Sequence, residues 1–335
     1  KPLKIGERSG YNLRFFGLNT LAGMELIRGL HNLRPRHRGC VATIGNFDGV
    51  HLGHQAVLGQ LAEKADAFGV PAVVITFEPQ PQEYFSHGEI PPRLTRFREK
   101  LRALRRFSVD RVMALQFNRS LAELTAEQFI QQVLLDGLDI RYLVVGDDFR
   151  FGKGRGGDFA MLQQVGAEHG FEVVNMHTFS QGGDRVSSTR IREALQRGEL
   201  VAAEQMLGRP YRMCGRVAHG NKLGRTIGFP TANIFLHRKK TPVDGVFAVE
   251  MFGIDGEPVV GVANVGTRPT VDETGTRSLL EVHLFDFADD IYGRYVHVDF
   301  LHRIREERRF ESFDALKAQI LKDADVARAF FATRG

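Results

Sequence analysis

The sequence has few cysteines and no long apolar run. Its 335 residues include two cysteines, Cys40 and Cys214, which are too few for a disulfide framework or a zinc cluster, so we expect free thiols in a reducing compartment. The longest apolar run lies near residues 70–77 and is far shorter than the roughly 18–20 residues that span a bilayer. No signal-peptide pattern is present. These absences predict a cytoplasmic protein without a membrane partner.

An excess of positive charge is also absent from most of the chain. The net charge is +5 and the isoelectric point is about 9.3, values that by themselves suggest a nucleic-acid or membrane-surface partner. Residues 1–39, however, carry eight basic and two acidic side chains, so the remaining 296 residues sum to −1. Because binding to a phosphate backbone needs clustered Lys and Arg, we expect no nucleic-acid partner.

The chain is long enough for about two domains at roughly 150 residues each, and its first 23 residues stand apart. Met24 is the first methionine, and the segment that it opens leads directly into a strand-like run. We expect residues 1–23 to be a leader, an upstream-translated stretch or an added extension. A transit peptide is an alternative, because the stretch is basic with one acidic residue.

Strand-like and helix-like segments alternate between residues 40 and 198. The strand-like runs lie at 41–45, 72–77, 111–115, 142–145 and 172–176. Helical patterns lie between them at 54–68, 97–106, 125–135 and 159–169, the third with a capping box formed by Thr125 and Gln128. The alternation predicts an α/β domain over residues 24–206, with a parallel sheet, helices on both faces, and ligands beyond the carboxyl ends of the strands.

The pattern changes after residue 207. Short strand-like segments separated by Gly, Pro and Asp turns lie at 211–217, 245–252, 259–265, 279–285 and 295–301. Ser312 is placed to cap a closing helix that runs to about Ile320. Many short strands without helices between them predict an antiparallel barrel or a sandwich. We therefore expect a second domain over residues 207–335.

A strand-to-helix turn in the first domain carries two histidines. The turn reads Asn46, Phe47, Asp48, Gly49, Val50, His51, Leu52, Gly53, His54. Histidines three apart in the first helical turn share a face, where ring N–H groups and free backbone amides can bind an anion, and the glycines allow a phosphate to approach closely. The pattern favours a phosphate site over two unrelated histidines, and over a metal site, for which no third ligand has suitable spacing.

A second helix start in the same domain also suits a phosphate. Ser188, Thr189 and Arg192 follow a Gly-Gly loop and open a helical pattern. Hydroxyls, backbone amides and a guanidinium at a helix start can hold a phosphate group. The alternative is a Ser/Thr N-cap followed by solvated arginines.

These two motifs resemble those of the nucleotidyltransferase superfamily, whose members attack the α-phosphate of a nucleoside triphosphate and release pyrophosphate. The resemblance implies that His51 and His54 stabilise the charge of the transition state. It also implies a set of ATP-binding residues, namely Asn46, Phe47, Asp48, Gly49, Ser188, Thr189 and Arg192.

A glycine-containing element over residues 146–152 lies between the two motifs. It is not a Walker A loop, because five residues separate Gly146 from Gly152 and a glycine follows Lys153 where Ser or Thr is required. It resembles instead the Gly-x-Asp/Asn-Phe-x-Phe-Gly element of bacterial FAD synthetases. That resemblance implies that the flavin is bound by Asp148, Phe149 and Phe151.

A glycine-rich segment follows the first strand-like run of the second domain. Its candidate residues are Gly220, Lys222, Gly224, Arg225, Gly228, Thr231 and Asn233. Glycines at four-residue spacing suggest a flap that can approach the phosphates of ATP. Thr231 and Asn233 alternate as in an extended chain, so both side-chain oxygens can face one Mg²⁺ ion shared with substrate phosphates. The alternative is a Gly-rich barrel turn.

The complete segment resembles the riboflavin kinase signature, in which the Pro-Thr-Ala-Asn element holds Mg-ATP. Glu281 lies on an alternating strand pattern, where a lone acidic residue is either edge-exposed or part of a site. The resemblance implies that Glu281 is the general base for the ribityl 5′-hydroxyl. It also assigns Asn264, Arg268 and Arg305 to flavin binding and helix packing, with a solvated charge run as the alternative for residues 303–309.

Both halves together resemble the bacterial bifunctional riboflavin kinase/FAD synthetases, over about Met24 to Phe331. The resemblance implies a Rossmann-like nucleotidyltransferase domain followed by a riboflavin kinase-like β-barrel with a closing helix. Riboflavin and ATP would give FMN in the barrel, and FMN and ATP would give FAD and pyrophosphate in the first domain. Mg²⁺ would serve both steps, with no permanently bound redox cofactor. We expect a monomer or weak homo-oligomer that binds riboflavin, FMN and ATP.

Three alternative hypotheses remain. In the first, one of the two motif sets is silent and the chain has a single activity. In the second, the chain is a relative that acts on nucleic acid, since similar histidine motifs occur in tRNA synthetases. The near-zero net charge of residues 40–335 argues against this hypothesis. In the third, the chain is a non-catalytic flavin-binding or regulatory module. This hypothesis is disfavoured by the joint presence of His51, His54, Thr231, Asn233 and Glu281.

Overall fold

A six-stranded parallel sheet forms the centre of the first domain. The computed structural model describes residues 23–86, 88, 90–176, 180–181, 184–219, 229–238, 240–254, 256–268 and 277–334. The strands of the sheet are β1 (Glu25–Arg28), β2 (Cys40–Ile44), β3 (Ala72–Phe77), β4 (Arg111–Leu115), β5 (Ile140–Gly146) and β6 (Glu172–Met176). Their order is β1-β4-β3-β2-β5-β6, with parallel pairing throughout. The direction of winding changes between β2 and β5, where such sheets bind ligands.

Helices cover both faces of this sheet, as the sequence predicts. They are α1 (Leu52–Phe68), α2 (Pro81–Phe85), α3 (Phe97–Leu104), α4 (Arg119–Ala122), α5 (Ala126–Phe129, continued by a π-helical stretch, Ile130–Leu138), α6 (Phe159–His169), α7 (Ser188–Arg197) and α8 (Leu200–Leu207). One face of the sheet buries Leu58 of α1 and Leu101 of α3. The opposite face buries Phe129 of α5 and Leu162 of α6. A small antiparallel pair, β7 (Ser180–Gln181) and β8 (Asp184–Arg185), precedes α7.

A closed antiparallel barrel forms the second domain, which decides between the predicted barrel and sandwich. Its strands are β9 (Tyr211–Ala218), β10 (Ala232–Phe235), β11 (Gly245–Phe252), β12 (Val259–Arg268), β13 (Arg277–Leu284) and β14 (Tyr295–Arg305), closed in the order β10-β13-β12-β11-β14-β9. Alternate residues such as Ile234, Leu280 and Val265 fill the interior. The last helix, α9 (Phe313–Ala332), packs outside the barrel through Ala324 and Ala327.

Local hydrogen bonds confirm two predicted helix starts. The Thr125 amide donates to Gln128 Oε1 at 2.9 Å and the Gln128 amide donates to Thr125 Oγ1 at 3.2 Å, which completes the capping box. The Ala315 amide donates to Ser312 Oγ at 3.1 Å. The predicted end of this helix near Ile320 is wrong: α9 continues to Ala332, because its second half buries small side chains against the barrel.

Besides the short β7–β8 pair, the structure contains two strands that the sequence pattern does not reveal. β1 has four residues, of which Ile27 is buried, and extends the sheet at its edge beside β4. β10 also has four residues and carries the Ala-Asn part of the glycine-rich segment. Both are too short for a period of two to be distinguished from an irregular loop.

The apolar core of the barrel extends into the helices that precede it. Ile191 and Leu195 of α7 and Leu200 and Leu207 of α8 belong to the same buried cluster as the barrel interior. The predicted domain boundary at residue 207 stays a prediction. Both helices precede this boundary in sequence, yet their apolar side chains share a buried cluster with the barrel interior. None of the helices in the described residues is long and apolar enough to cross a membrane.

Candidate active sites

The predicted histidine motif lies at the carboxyl edge of the sheet, directly after β2. Phe47, Gly49 and Val50 have positive φ angles of 49°, 84° and 45°, conformations that cost a phenylalanine and a β-branched residue free energy and that concentrate at functional sites. Phe47 and Val50 are 2% and 1% exposed. Asn46 is half-buried, and its Oδ1 lacks a hydrogen-bond partner among the described residues. The loop is therefore held in one strained shape by its buried side chains.

The two histidines stack on each other at the start of α1. Their ring centroids are 3.7 Å apart with an interplanar angle of 19°, and the Phe47 ring lies 5.0 Å from that of His54. His51 is the N-cap residue, whose Nδ1 accepts a hydrogen bond from the His54 amide at 3.4 Å. Its Nε2 therefore carries the proton in the neutral ring and is a donor.

Burial keeps both imidazoles neutral near pH 7. Burial lowers the pKa of His51 to about 4. Burial also lowers the pKa of His54 well below its usual value, with further lowering by His51 and by Lys100. The pair consequently offers neutral N–H donors to an anion.

The Asp48 carboxylate lies inside the protein. Asp48 is 2% exposed, and it accepts hydrogen bonds from the amides of Leu94 at 3.0 Å and Thr95 at 2.9 Å and from the Thr95 hydroxyl at 3.1 Å. Arg192 Nη2 donates to the same carboxylate at 2.6 Å. With these partners Asp48 organises the loop, and ATP binding by Asp48 stays a prediction.

The start of α7 is joined to the histidine loop. Ser187 is the N-cap of the helix, and the Ser188 hydroxyl donates to the Asp48 carbonyl at 2.9 Å. Thr189 is exposed in the first turn. Arg192 is 12% exposed, and its Nε donates to the Pro92 carbonyl at 2.8 Å. The two predicted phosphate motifs, about 140 residues apart in sequence, therefore meet in space.

Lys100 is a residue of this site that sequence reasoning missed. It is fully buried on α3, and its Nζ donates to Thr76 Oγ1 at 3.3 Å, while the Thr76 hydroxyl donates to the Asn46 carbonyl at 3.4 Å. Burial lowers the pKa of Lys100 to about 8. Its neighbours in sequence, Glu99 and Arg98, make it look like one residue of a solvated charged helix. Only the packing shows that it faces inward.

A second missed feature is a group of four aromatic rings at the same edge. Phe77 ends β3 and Phe117 follows β4, with ring centroids 5.7 Å apart. Tyr84 and Phe85 of α2 lie 5.4 and 5.6 Å from Phe117. Tyr84 is 39% and Phe85 57% exposed. Exposed rings next to one another at a ligand-binding edge form a surface on which a flat molecule can stack.

The glycine-containing element follows β5, next to the histidine loop. Phe149 and Phe151 stack with centroids 5.5 Å apart, but Phe151 is 7% exposed and belongs to the domain core. The Asp148 carboxylate is exposed and accepts a hydrogen bond from Arg185 Nη2 at 2.6 Å. Flavin binding by these three residues stays a prediction, and the accessible members of the set are Asp148 and Phe149.

Three predicted residues of the second site form one row across the barrel wall. Asn233 of β10 and Asn264 of β12 are both paired in register with Glu281 of β13. Residues directly opposite each other on antiparallel strands project from the same face. Their neighbours Ile234 and Leu280 point into the barrel core, so the row lies on the outer face. Glu281 is half-buried and Asn233 is 8% exposed.

Thr231 lies in the segment just before β10, next to this row. Asn233 Nδ2 donates to the Thr231 carbonyl at 3.4 Å. His283, two residues after Glu281 on the same strand face, shares a hydrogen bond with the Pro230 carbonyl at 2.9 Å, in which Nδ1 is the donor. A hydroxyl and an amide oxygen are the hard ligands that Mg²⁺ accepts beside substrate phosphates, so the residues present fit the predicted metal.

The remaining predictions for the barrel are placed differently. Arg305 forms a two-pronged ion pair with Asp323 of α9, with Nε to Oδ1 at 3.0 Å and Nη2 to Oδ2 at 2.8 Å, and this contact supports the helix-packing role. Arg268 is the last residue of β12, and its side chain is not among those that the structure describes. Five predicted residues lie outside the described residues altogether: Gly220, Lys222, Gly224, Arg225 and Gly228.

Comparisons with known proteins agree with this division into two sites. Residues 33–190 match the family model of FAD synthetase, and residues 207–331 match that of riboflavin kinase. The bifunctional riboflavin kinase/FMN adenylyltransferase of Escherichia coli K12 is 53% identical over 309 residues, which cover 92% of this chain and 98% of that protein. This chain belongs to the bifunctional riboflavin kinase/FMN adenylyltransferase family. The family member from Haemophilus influenzae is also 53% identical, over 92% of this chain and 99% of that protein.

A solved structure supports the family architecture. A crystal structure described as a macrolide-efflux protein from Streptococcus pneumoniae has 33% sequence identity and a TM-score of 0.77. The match covers 91% of this chain and 99% of that chain, so both domains have counterparts there. The word efflux in the name of that structure refers to the Streptococcus pneumoniae protein.

Proposed function

We propose that this family member adenylylates FMN at the carboxyl edge of the sheet and phosphorylates riboflavin on the outer wall of the barrel. The observation that carries the proposal is the convergence of each set of predicted residues in a different domain. Residues 46–54 meet the start of α7 at the sheet edge. Asn233, Glu281 and Asn264 form the cross-strand row of the barrel.

Adenylylation needs positioning and charge stabilisation. A phosphate oxygen of FMN attacks the α-phosphorus of ATP, the bond from this phosphorus to the oxygen that bridges to the β-phosphorus breaks, and pyrophosphate leaves. The FMN phosphate is already ionised near pH 7, so no base is required. The neutral N–H groups of His51 and His54 donate to the phosphate oxygens, and these hydrogen bonds strengthen as negative charge develops.

The start of α7 supplies the second half of the phosphate site. The first amides of a ten-residue helix and the exposed Thr189 hydroxyl bind the triphosphate. Arg192 is held between Asp48 and the Pro92 carbonyl, so its guanidinium is oriented before ATP binds. Asp48 is assigned a positioning role.

The isoalloxazine ring of FMN stacks on the exposed aromatic surface formed by Phe77, Tyr84, Phe85 and Phe117. This surface lies beyond β3 and β4, on the opposite side of the histidine loop from the element with Asp148 and Phe149 that follows β5. ATP and FMN can therefore approach the histidine loop from two sides. The measurement that separates the two surfaces is the KM for FMN in variants of each.

Riboflavin phosphorylation uses Glu281 as the general base. The Glu281 carboxylate takes the proton of the ribityl 5′-hydroxyl while its oxygen attacks the γ-phosphorus, the bond to the β,γ-bridging oxygen breaks, and ADP leaves. Asn233 and Asn264 flank the carboxylate on the two neighbouring strands and orient the substrates. Thr231 and Asn233 would hold Mg²⁺, which neutralises phosphate charge when bound.

The proposal extends to the setting of these reactions. The buried free thiols of Cys40 and Cys214 suit the reducing cytoplasm, and the substrates are small molecules. A monomer or weak homo-oligomer remains the expected state, which sedimentation velocity measures.

Flavin chromatography tests the proposed function. Incubation of the chain with riboflavin, ATP and Mg²⁺ is expected to give FMN and then FAD, and FMN with ATP is expected to give FAD and pyrophosphate. Formation of FMN without FAD, or failure to adenylylate supplied FMN, would instead establish a single activity. Tight, salt-sensitive retention of RNA on a filter would favour a nucleic-acid-acting relative.

A further inference from the structure

A short segment of the first domain, residues 92–96, lies between the histidine loop and the barrel. We call it the strap. On one side it is bound to the histidine loop: Asp48 accepts from the Leu94 and Thr95 amides, and the Gly49 amide donates to Thr95 Oγ1 at 3.0 Å. His51 is three residues from Asp48, so the position of the strap sets the position of the loop.

On its other side the strap is bound by the barrel domain. Arg238 follows β10, and its Nη1 donates to the Arg93 carbonyl at 2.9 Å and to the Leu94 carbonyl at 3.5 Å. The Tyr211 hydroxyl of β9 donates to the Leu94 carbonyl at 3.2 Å. The Leu94 side chain is fully buried in the cluster that includes the barrel core.

A buried ion pair fixes the guanidinium that makes these contacts. Arg238 Nη2 donates to Glu99 Oε2 at 2.5 Å, and the side chains of the two residues are 3% and 6% exposed. Glu99 also accepts from the Cys214 amide of β9 at 3.3 Å. Arg96 of the strap donates from Nη1 to the Leu236 carbonyl at 3.0 Å. Each domain thus supplies donors to the other, and neither set of buried polar groups is satisfied by its own domain alone.

We propose that Arg238, a residue of the kinase domain, is a positioning residue for FMN adenylylation. It holds the strap from the barrel side while Asp48 holds it from the loop side, and the histidine loop is thereby kept in its strained shape. The inference rests on the proposed function, because it concerns the same adenylylation site. It implies that the barrel is a structural part of the site in the other domain.

The substitution Arg238→Met tests this in the full-length chain, since it keeps the length of the side chain and removes its donors. We expect kcat for FAD formation from FMN to fall by about 10- to 100-fold, the range that misplacement of a site can produce. Phosphorylation of riboflavin by the same preparation should stay within about twofold, because Arg238 donates to the strap, to Tyr211 and to Glu99 and is not part of the proposed kinase site. Arg238→Lys keeps one cation and should recover part of the loss.

A second variant removes one atom from the same contact. Tyr211→Phe loses the hydroxyl that binds the Leu94 carbonyl and should lower FAD formation by about 5-fold, close to the worth of one hydrogen bond. Amide hydrogen exchange gives a readout that is independent of activity. The Leu94 and Thr95 amides should exchange faster in both variants than in the original chain, since they are the donors to Asp48.

Arg212→Met is the matched control. Arg212 lies on the same barrel strand as Tyr211 and pairs with Asp299 of the neighbouring strand, so its loss destabilises the barrel without touching the strap. It should leave the ratio of the two activities and the exchange of Leu94 and Thr95 unchanged. Equal losses of both activities in Arg238→Met and Arg212→Met would overturn the proposal, as would unchanged FAD formation in Arg238→Met and Tyr211→Phe. If the original chain makes no FAD, the proposed function fails, and hydrogen exchange alone decides whether Arg238 positions the strap.

Discussion

The two proposed phosphate-transfer sites of this protein are built in different ways. The sheet-edge site is assembled from segments far apart in sequence, the loop after β2, residues 92–100 and the start of α7, and buried hydrogen bonds to Asp48 hold them together. The barrel site places Asn233, Glu281 and Asn264 on three adjacent strands. Their relative positions follow from strand register, which the backbone ladder sets.

This difference predicts how each site responds to substitution. In the barrel, a side chain can change without moving its neighbours, because the backbone ladder stays intact. At the sheet edge, removal of one buried charge leaves its partner unpaired in an apolar surrounding and shifts the loop. Five predictions probe the contrast, in order of decreasing expected effect.

The largest effect is expected for Glu281→Gln. The variant keeps the shape of the side chain and removes the base, so FMN formation should fall by about 10²- to 10⁴-fold, while adenylylation of supplied FMN stays unchanged. Rates of both reactions measured by flavin chromatography give the result. Glu250→Gln, at another half-buried glutamate of the barrel, is the control. A simultaneous loss of both activities would contradict the separation of the two sites.

The opposite selectivity is expected at the sheet edge. His54→Ala should lower FAD formation by about 10²- to 10³-fold, the usual cost of one transition-state donor, and leave riboflavin phosphorylation intact. His51→Asn is a sharper variant, because asparagine can still cap α1 and the loss then reports the imidazole alone. The exposed His169 of α6, replaced by alanine, serves as control. FAD output equal to that of the original chain would remove these imidazoles from the reaction.

Asp48→Asn tests the buried network that the barrel site lacks. The charge opposite Arg192 disappears, and the free energy of unfolding should fall by about 3 kcal/mol, as for other broken buried ion pairs. Urea denaturation measures the change. Asp286→Asn breaks the exposed pair between Asp286 and Arg328 and should lower the free energy of unfolding much less, because exposed ion pairs contribute little to stability. Equal effects of the two substitutions would show that Asp48 is not a key buried partner.

Acid should weaken the sheet-edge site through its histidines. The pKa of His51 is lowered by burial to about 4 in the folded chain and lies near 6.5 when the chain is unfolded. Between these values the unfolded state binds more protons, so the free energy of unfolding falls as the pH falls from 6.5 to 4. Denaturation of the original chain and of His51→Asn at several pH values measures this effect. The loss of unfolding free energy between pH 6.5 and pH 4 should be smaller in the variant by about 3 kcal/mol. Parallel slopes would contradict a neutral, buried His51.

The smallest effect is expected on the aromatic surface. Phe85→Ala should raise the KM for FMN by about 2- to 10-fold, the worth of one aromatic stacking contact, without changing the kinetics of riboflavin phosphorylation. Phe313 of α9 is 55% exposed, close to the 57% of Phe85, so Phe313→Ala is a matched control. A larger rise for Phe149→Ala than for Phe85→Ala would move the flavin to the β5 side of the histidine loop.

Much of this fold could be predicted from the sequence because its signals are local. Alternation of strands and helices requires a parallel sheet, and short strands without helices require an antiparallel assembly. The capping residues Thr125 and Ser312 mark helix starts through contacts three residues away. The short strands β1 and β10 were missed, since their hydrogen bonds come from distant strands and leave no period in four residues.

The candidate sites divide in the same way. Motifs with their own local geometry, such as the two histidines and the Thr231–Asn233 pair, could be recognised from residue type and spacing. Lys100 and the rings of Tyr84 and Phe85 could not, because burial and stacking depend on partners elsewhere in the chain. Asp48 and Arg305 were identified as site residues, yet their charges are engaged by Arg192 and Asp323.

Residue type and spacing are enough to predict two domains with two sets of phosphate-binding residues in a set order, because each motif is a short run of residues. Tertiary packing is needed to see that the barrel closes, that Asp48 organises a loop, and that Arg238 of one domain reaches the strap of the other. The physical reason is that a buried charge needs a partner wherever the fold places one. Here the fold places the partner of Glu99 about 140 residues away.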